Sequence, residues 1–217
     1  MTGAEHALRS VEDGHVAGLG TGHAATAFVR ALAERVRAGL RIAGVPASEA
    51  TARLARELGI PLVSLAERPV VDVAVDGADE VDPRLDLVKG WGGALLREKI
   101  VAAAARRFVV LVGTEKLVPM LGSRGKLPVE VVPFGAAVCG TRLERLGLRP
   151  TRRGGEATPF VTDSGNWIYD CAVDPIADPT RLDAALHAIP GVVATGLFLG
   201  MADVVVDAEG RIETRVR

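Results

Sequence analysis

The chain has 217 residues, of which 48% are hydrophobic, and a formal net charge of −1 at pH 7. This length fits one large domain or two smaller ones with a sizeable core. The balanced charge disfavours a nucleic-acid partner, and no apolar run approaches the ~18 residues that a membrane span requires. Two cysteines, Cys139 and Cys171, cannot form a disulfide framework, which favours reduced thiols in a cytoplasmic protein.

The first half of the chain alternates predicted strands with predicted helices. The pattern predicts, in order, a helix at 4–11, a strand at 15–18, a helix at 24–36, a strand at 41–45, a helix at 48–58, strands at 60–65, 70–75 and 85–89, a helix at 94–107 and a strand at 108–112. This alternation predicts a mostly parallel sheet that is covered by helices.

After Pro128 the order of the predicted elements changes. A strand at 129–132, a helix at 136–146, strands at 148–151, 160–162 and 167–171, a helix at 181–189 and a strand at 192–197 come close to a βαββαβ unit. Strands at 203–206 and 212–216 are then expected to return to the first domain. The predicted class is α/β, with a Rossmann-like domain at 1–127 and 198–217 and a smaller α+β, ferredoxin-like domain at 128–197.

A glycine-rich turn at 18–23, Gly-Leu-Gly-Thr-Gly-His, lies between a predicted strand and a predicted helix. His23 stands at the third glycine of the dinucleotide motif, and Gly44-Val45-Pro46 supplies no acidic residue at the end of the next strand. A nicotinamide cofactor is therefore not expected. The turn retains the ability to hold an anion on its backbone N–H groups.

The segment from 76 to 99 concentrates carboxylates and lysines around two glycine-bearing turns. Asp76 follows the apolar run 70–75, which predicts a position at the carboxyl end of a buried strand, where open α/β sheets bind ligands. Glu98 lies in an alanine-rich helix that follows Gly90, Gly92 and Gly93. A carboxyl group in an apolar cleft suits a general base, because burial raises its pKa. Backbone N–H groups at the helix start can hold developing negative charge.

Two other interpretations of this segment stay open. Glu98 could form a Glu–Lys pair on a solvated helix face, although the neighbouring side chains are mostly apolar. Asp76, Asp79 and Glu80 could hold Mg²⁺ through oxygen ligands. No histidine lies near these carboxylates in the sequence, so no metal is expected.

These motifs resemble the ribose-5-phosphate isomerase family of type A. The resemblance rests on Asp-Gly-Ala-Asp-Glu at 76–80, Lys-Gly-Trp-Gly-Gly-Ala-Leu-Leu-Arg-Glu-Lys at 89–99 and Gly-Leu-Gly-Thr-Gly at 18–22. It continues at 127–133, 161–166, 189–193 and 195–198, and so covers nearly the whole chain. The resemblance implies a cytoplasmic homodimer without cofactor or metal, which interconverts ribose 5-phosphate and ribulose 5-phosphate through a cis-enediol(ate).

The resemblance also implies a role for each catalytic side chain. Glu98 would be the base that carries a proton between C1 and C2 of the open-chain sugar. Asp76 would assist ring opening and proton exchange between O1 and O2. Asp79 and Lys89 would hold the hydroxyl groups, with Lys89 and the amides of residues 90–92 stabilising the enediolate oxygen. The expected substrate-binding residues are Thr21, Gly22, His23, Ala24, Gly77, Ala78, Gly90, Trp91, Gly92 and Lys116.

The turn at 21–24 departs from the family pattern. The family has Thr-Gly-Ser-Thr, whose hydroxyl groups grip the sugar phosphate, whereas this chain has Thr-Gly-His-Ala. A lysine that many members carry in the first helix also has no counterpart, and Trp91 replaces a small residue at the expected lip of the site. Charge-assisted hydrogen bonds contribute about 1.5–3 kcal/mol each, so these losses need compensation. His23 could compensate as an imidazolium; alternatively, the same chemistry acts on another sugar, or the chain is a catalytically silent sugar-binding homologue.

Overall fold

The computed structural model describes residues 2–207 and 210–214. The elements in chain order are α1 (Gly3–Leu8), β1 (Val16–Leu19), α2 (His23–Arg37), β2 (Ala43–Pro46), α3 (Glu49–Glu57), β3 (Val73–Gly77), β4 (Glu80–Val81), β5 (Leu87–Val88), α4 (Leu95–Ala104), β6 (Phe108–Leu111), β7 (Lys126–Val131), α5 (Ala136–Arg145), β8 (Arg149–Arg152), β9 (Trp167–Ala172), α6 (Pro179–His187), β10 (Val192–Thr195), β11 (Leu197–Phe198), β12 (Val204–Val206) and β13 (Ile212–Thr214). Short 3₁₀ turns lie at Thr114–Lys116 and Pro133–Gly135.

The chain forms two compact units. The first contains the chain up to Ala78, Arg97–Lys116 and the part from Met201 onward; the second contains Asp79–Leu96 and Leu117–Gly200. The sequence-based division differs, because it assigns residues 79–96, 117–127 and 198–200 to the Rossmann-like domain. In the structure β5 pairs with β4 on one side and with β11 on the other, and these three strands form a sheet of the second unit.

A six-stranded sheet organises the first unit, in the order β13-β12-β6-β3-β1-β2. The neighbouring strands β12, β6, β3, β1 and β2 are all parallel, and β13 is antiparallel to β12. The predicted mostly parallel sheet is therefore confirmed. The chain leaves β1 toward β2 on one side, whereas β3 and β6 lie on the other. The crevice between the carboxyl ends of β1 and β3 is therefore the switch point at which such sheets bind ligands.

Apolar periodicity on α2 explains the core of this unit. Phe28, Val29 and Leu32 are fully buried and share a cluster with Val73 and Val75 of β3. Each side chain of this size contributes about 1.5–3 kcal/mol when it is removed from water, so this stripe holds the helix on the sheet.

The second unit contains the predicted βαββαβ arrangement. Its four-stranded sheet has the order β10-β7-β9-β8 and is antiparallel throughout. Every second residue of β7 (Leu127, Val129 and Val131) is fully buried, and they share a core with Cys139 and Leu143 of α5.

Both cysteines are free and buried, and burial raises the pKa of the Cys171 thiol to about 12. No helix among the described residues is long and apolar enough to cross a membrane.

Several predicted strands are wrong or displaced. Residues 60–65 make only an isolated bridge from Leu62 to Gly44, and Pro61 lacks the N–H group that a ladder needs. Residues 160–162 make one bridge, after which the Thr162 side chain accepts backbone N–H groups and closes a turn. The predicted strand 192–197 divides at Gly196 into β10 and β11, which belong to different sheets. Of the predicted strand 212–216, residues 215 and 216 lie outside the described residues.

Candidate active site

Asp76 lies at the switch point of the first unit, near the end of β3, and is only 4% exposed. Its Oδ1 accepts hydrogen bonds from the backbone N–H groups of Thr21 (3.0 Å) and Gly77 (2.7 Å). Gly20 packs directly against it, since a Cβ built on Gly20 would stand 2.6 Å from the Cβ of Asp76. The two neighbouring strand ends therefore fix the orientation of this carboxylate.

Two residues that were not predicted for the site hold the Thr21 side chain. Ser48 is the N-cap of α3, and Thr51 lies within α3. The Thr21 hydroxyl group donates to the Oγ of Ser48 at 2.9 Å and lies 3.3 Å from the hydroxyl of Thr51. Thr51 donates in turn to the carbonyl oxygen of Gly20 at 2.8 Å. The sequence identifies Ser48 only as the residue that begins α3, and the structure adds that it anchors the glycine-rich turn.

The turn then enters α2 without a side-chain cap. Gly22 occupies the N-cap position with a φ of 92°, a conformation that favours glycine. His23 is the first helical residue and is exposed, and Ala24 follows it half-buried. The first N–H groups of a helix lack partners within the helix, so this end of a 15-residue helix is suited to an anion.

Glu98 is 5% exposed and lies on α4. It lines the same narrow gap as Asp76, together with small residues that include Gly18, Gly20 and Ala47. The structure thus brings the two carboxyl groups together at the switch point. It also excludes the solvated helix face, because the Glu98 side chain is buried.

Three other expected substrate-binding residues lie at the same edge of this sheet. Gly77 ends β3 and pairs with Leu111 of β6, and Ala78 follows it half-buried. Lys116 ends the 3₁₀ turn that follows β6 and is also half-buried. Because β3 and β6 are adjacent and parallel, their carboxyl ends present these residues on one side of the unit.

Asp79 and the glycine turn at 90–93 form a cluster in the second unit. The backbone N–H of Trp91 donates to Oδ2 of Asp79 at 3.0 Å, and the N–H of Gly93 donates to the carbonyl of Gly90 at 3.0 Å. The φ of Gly90 is 100°, which again favours glycine, and Gly92 is exposed. One acid of the 76–80 motif therefore orients the turn that precedes α4.

The Trp91 indole is fixed by cations and one hydrogen bond. Its Nε1 donates to the carbonyl of Lys126 at 3.2 Å, while the ammonium group of Lys126 and the guanidinium group of Arg124 lie 4.6 and 4.9 Å from the ring centre. Arg124 also donates to the carbonyl of Asp79 at 2.8 Å. These contacts hold the Trp91 ring in place through residues of its own unit.

Lys89 is 3% exposed, which is rare for a lysine. Its backbone N–H donates to the carbonyl of Gly196 at 2.9 Å, and its ammonium group lies 5.6 Å from the centre of the Phe198 ring. Glu80, which lies opposite Val88 in the sheet, is fully buried and accepts the N–H groups of Gly122 and Arg124 at 2.5 and 2.6 Å.

Among residues 2–207 and 210–214, no three His, Cys, Asp or Glu side chains lie close enough together to hold a metal ion. A separate cavity of about 510 Å³ opens beside β2 and is lined by Glu49, Arg97 and Ile100 among others. None of the expected site residues lines it, whereas Asp76 and Glu98 both line a gap between packed elements that is too narrow to admit a water molecule.

A Rossmann-like sheet with two buried carboxyl groups beside one narrow gap at its switch point is the framework of an acid–base enzyme of the α/β class. The family model described as ribose 5-phosphate isomerase A (phosphoriboisomerase A) matches residues 43–211. A curated ribose-5-phosphate isomerase A from Roseiflexus sp. (strain RS-1) is 58% identical over 208 residues, which cover 94% of this chain and 89% of that protein.

Solved structures agree with the sequence comparison. The ribose 5-phosphate isomerase A of Methanocaldococcus jannaschii has a TM-score of 0.93 and 40% identity to this chain, covering 98% of this chain and 96% of that one. A D-ribose-5-phosphate isomerase in complex with phospho-erythronic acid gives the same TM-score of 0.93 and the same 40% identity over the same shares. The chain belongs to the ribose 5-phosphate isomerase A family.

Proposed function

We propose that this protein interconverts ribose 5-phosphate and ribulose 5-phosphate by proton transfer through a cis-enediolate. Family membership supports the reaction, and the narrow gap shared by Asp76 and Glu98 is the observation that carries it. The change to His23 and Ala24 left two alternatives open, another sugar substrate and a catalytically silent homologue. Neither gains support from the relatives described above, which are all named as ribose 5-phosphate isomerases.

Glu98 acts as the general base in this proposal. It removes the proton from C2 of the open-chain aldose, and the electron pair moves into a C1–C2 double bond while O1 takes the negative charge. Asp76 carries the O2 proton to O1. Glu98 then returns its proton to C1, which leaves a carbonyl at C2 and completes the ketose. A positioned base of this kind contributes about 10²–10⁴-fold to the rate.

Asp79, Lys89 and the amides of the 90–92 turn hold the sugar oxygens and the developing charge. Preorganised donors of this kind are among the largest contributions to catalysis. The relative solved in complex with phospho-erythronic acid supports a sugar phosphate as the substrate. Trp91 shapes the surroundings of these groups, and Gly77 and Ala78 shape those of Asp76.

The phosphate is assigned to the turn of Thr21, Gly22, His23 and Ala24 and to Lys116. The start of α2 provides N–H groups and the positive end of a helix dipole. His23 is exposed at that end and supplies a side-chain donor where the family has a hydroxyl group.

Glu98→Gln tests the reaction directly. The amide keeps the shape of the carboxyl group and cannot accept the proton, so exchange of deuterium at the sugar C2 should fall by at least about 10²-fold with little change in KM. Glu57→Gln, at an exposed glutamate that ends α3, is the matched control and should keep wild-type turnover. Exchange at the wild-type rate in Glu98→Gln would remove Glu98 from this role.

We also propose that the protein is a cytoplasmic homodimer, as the family resemblance implies. Three exposed apolar residues in one short stretch of the second unit, Val132, Phe134 and Val138, support a self-association surface. Light scattering coupled to gel filtration should give the mass of two chains. A monomeric mass at micromolar concentration would contradict the dimer, and Phe134→Asp should weaken it.

A further inference from the structure

Arg153, which directly follows β8, grips the backbone of the glycine turn in the second unit. Its Nη1 donates to the carbonyl oxygens of Gly90 at 3.2 Å and Trp91 at 3.3 Å. The other edge of the guanidinium group pairs with both oxygens of Asp170, at 2.9 Å from Nε and 2.5 Å from Nη2. Its side chain is only 14% exposed. A bidentate pair of this kind fixes the plane of the guanidinium group.

This grip determines where two backbone N–H groups point. The described peptide bonds are all trans, so each C=O is antiparallel to the N–H of the following residue. The carbonyl of Gly90 therefore sets the direction of the Trp91 N–H, which donates to Asp79 at 3.0 Å. The carbonyl of Trp91 sets the direction of the Gly92 N–H, which points away from Arg153 at an exposed position of the turn.

The N–H groups of residues 91, 92 and 93 consequently have different roles. The Trp91 N–H is used by Asp79, and the Gly93 N–H closes the turn onto Gly90 at 3.0 Å. Of these three, the Gly92 N–H points away from Arg153 and belongs to an exposed residue. A cation at the carbonyl end of a peptide group also polarises it and strengthens the N–H as a donor.

We propose that Arg153 is a positioning residue of the isomerase, which orients the peptide group between Trp91 and Gly92 so that the Gly92 N–H meets the enediolate oxygen. The inference rests on the proposed function and assigns one donor among the amides of the 90–92 turn. Arginine suits the task, because its planar fork serves two carbonyls and a carboxylate at once, whereas a lysine ammonium cannot match that geometry.

The test compares Arg153→Met with Arg152→Met. Arg152 is the neighbouring residue and is a close match, because its side chain is only 12% exposed. It donates to the carbonyls of Gly155 and Glu156, pairs with the Glu156 carboxylate and stacks on the Trp167 ring. Arg153→Met should lower kcat for ribose 5-phosphate by about 10²-fold with KM within about twofold, since loss of one oxyanion donor costs about 10²–10³. Arg152→Met should keep kcat near the wild-type value.

Arg153→Lys and Asp170→Asn keep the proposal testable if Arg153→Met does not fold. Arg153→Lys should retain the charge and still lose most of kcat, and Asp170→Asn should lose several-fold, because the fork is held less firmly. An unchanged kcat in all three variants would overturn the inference, and so would a raised KM with unchanged kcat, which would make Arg153 a substrate-binding residue. Wild-type protein that does not turn over ribose 5-phosphate would instead refute the proposed function.

Discussion

Replacing Gly20 by alanine is a steric test of the Asp76 carboxylate. The backbone of Gly20 is not in the left-handed region, so alanine is tolerated there on conformational grounds. The added Cβ would nevertheless stand 2.6 Å from the Cβ of Asp76, and closer still to its carboxyl group. Because carbon atoms prefer about 3.5–4.0 Å, the Asp76 side chain and the backbone that carries it must move by roughly 1 Å.

The magnitude follows from the hydrogen bonds that this movement strains. Oδ1 of Asp76 accepts the N–H groups of Thr21 and Gly77 at 3.0 and 2.7 Å, and both contacts lengthen when the carboxyl group moves. A displacement of about 1 Å in a catalytic group costs about 10²-fold in rate. Overpacking costs about 1–3 kcal/mol of unfolding free energy, so the variant should fold and be slow.

The assay is steady-state isomerisation of ribose 5-phosphate, paired with urea unfolding. Gly135→Ala is the matched control, because φ at Gly135 is −99° and the nearest atom to an added Cβ, Cys139 Sγ, is 4.0 Å away. It should change neither kcat nor stability appreciably. A folded Gly20→Ala variant with wild-type kcat would refute the claim that the position of Asp76 limits catalysis.

Three further predictions follow from other parts of the structure. His23→Ala should raise KM for ribose 5-phosphate with little change in kcat, as expected when uniform binding is lost; an unchanged KM would exclude His23 from the phosphate turn. EDTA should leave turnover unchanged, because charge stabilisation is assigned to Lys89 and backbone amides; a loss that Mg²⁺ restores would contradict this. Burial raises the pKa of Glu130 above its usual 4.5, so the folded protein favours the protonated carboxyl group. The free energy of unfolding of the wild-type protein, compared with that of Glu130→Gln, should therefore be highest below pH 4.5. This difference should shrink as the pH rises toward neutrality. Urea unfolding at several pH values measures the difference, and a margin that grows with pH would be the opposite result.

The positions of Asp76 and Glu98 could be predicted from local pattern alone. An apolar run that ends in an acid predicts a buried strand with a carboxylate at its end, and β3 has that form. An acid on an alanine-rich helix face is expected to be buried, and Glu98 is. These predictions depend only on neighbours along the chain, and such neighbours are visible in the sequence.

Arg153 and Thr51 could not be found in that way. Arg153 follows an arginine and precedes two glycines, which is the pattern of a surface turn, and its carbonyl partners lie more than sixty residues earlier. The contact of Thr51 with Gly20 spans 31 residues. The predicted strand at 60–65 failed for a related reason, because an apolar run does not reveal that Pro61 limits its pairing to a single bridge.

The sheet order of the first unit has a consequence for synthesis on the ribosome. One side of β6 is covered by β12, whose residues Val204–Val206 leave the ribosome long after Phe108–Leu111. Until they emerge, β6 is an open edge with unpaired backbone groups, and such edges invite pairing with other chains. The second unit contains no segment beyond Gly200 and can complete itself first. Nascent chains stalled before residue 204 should therefore depend on chaperones that shield apolar strands.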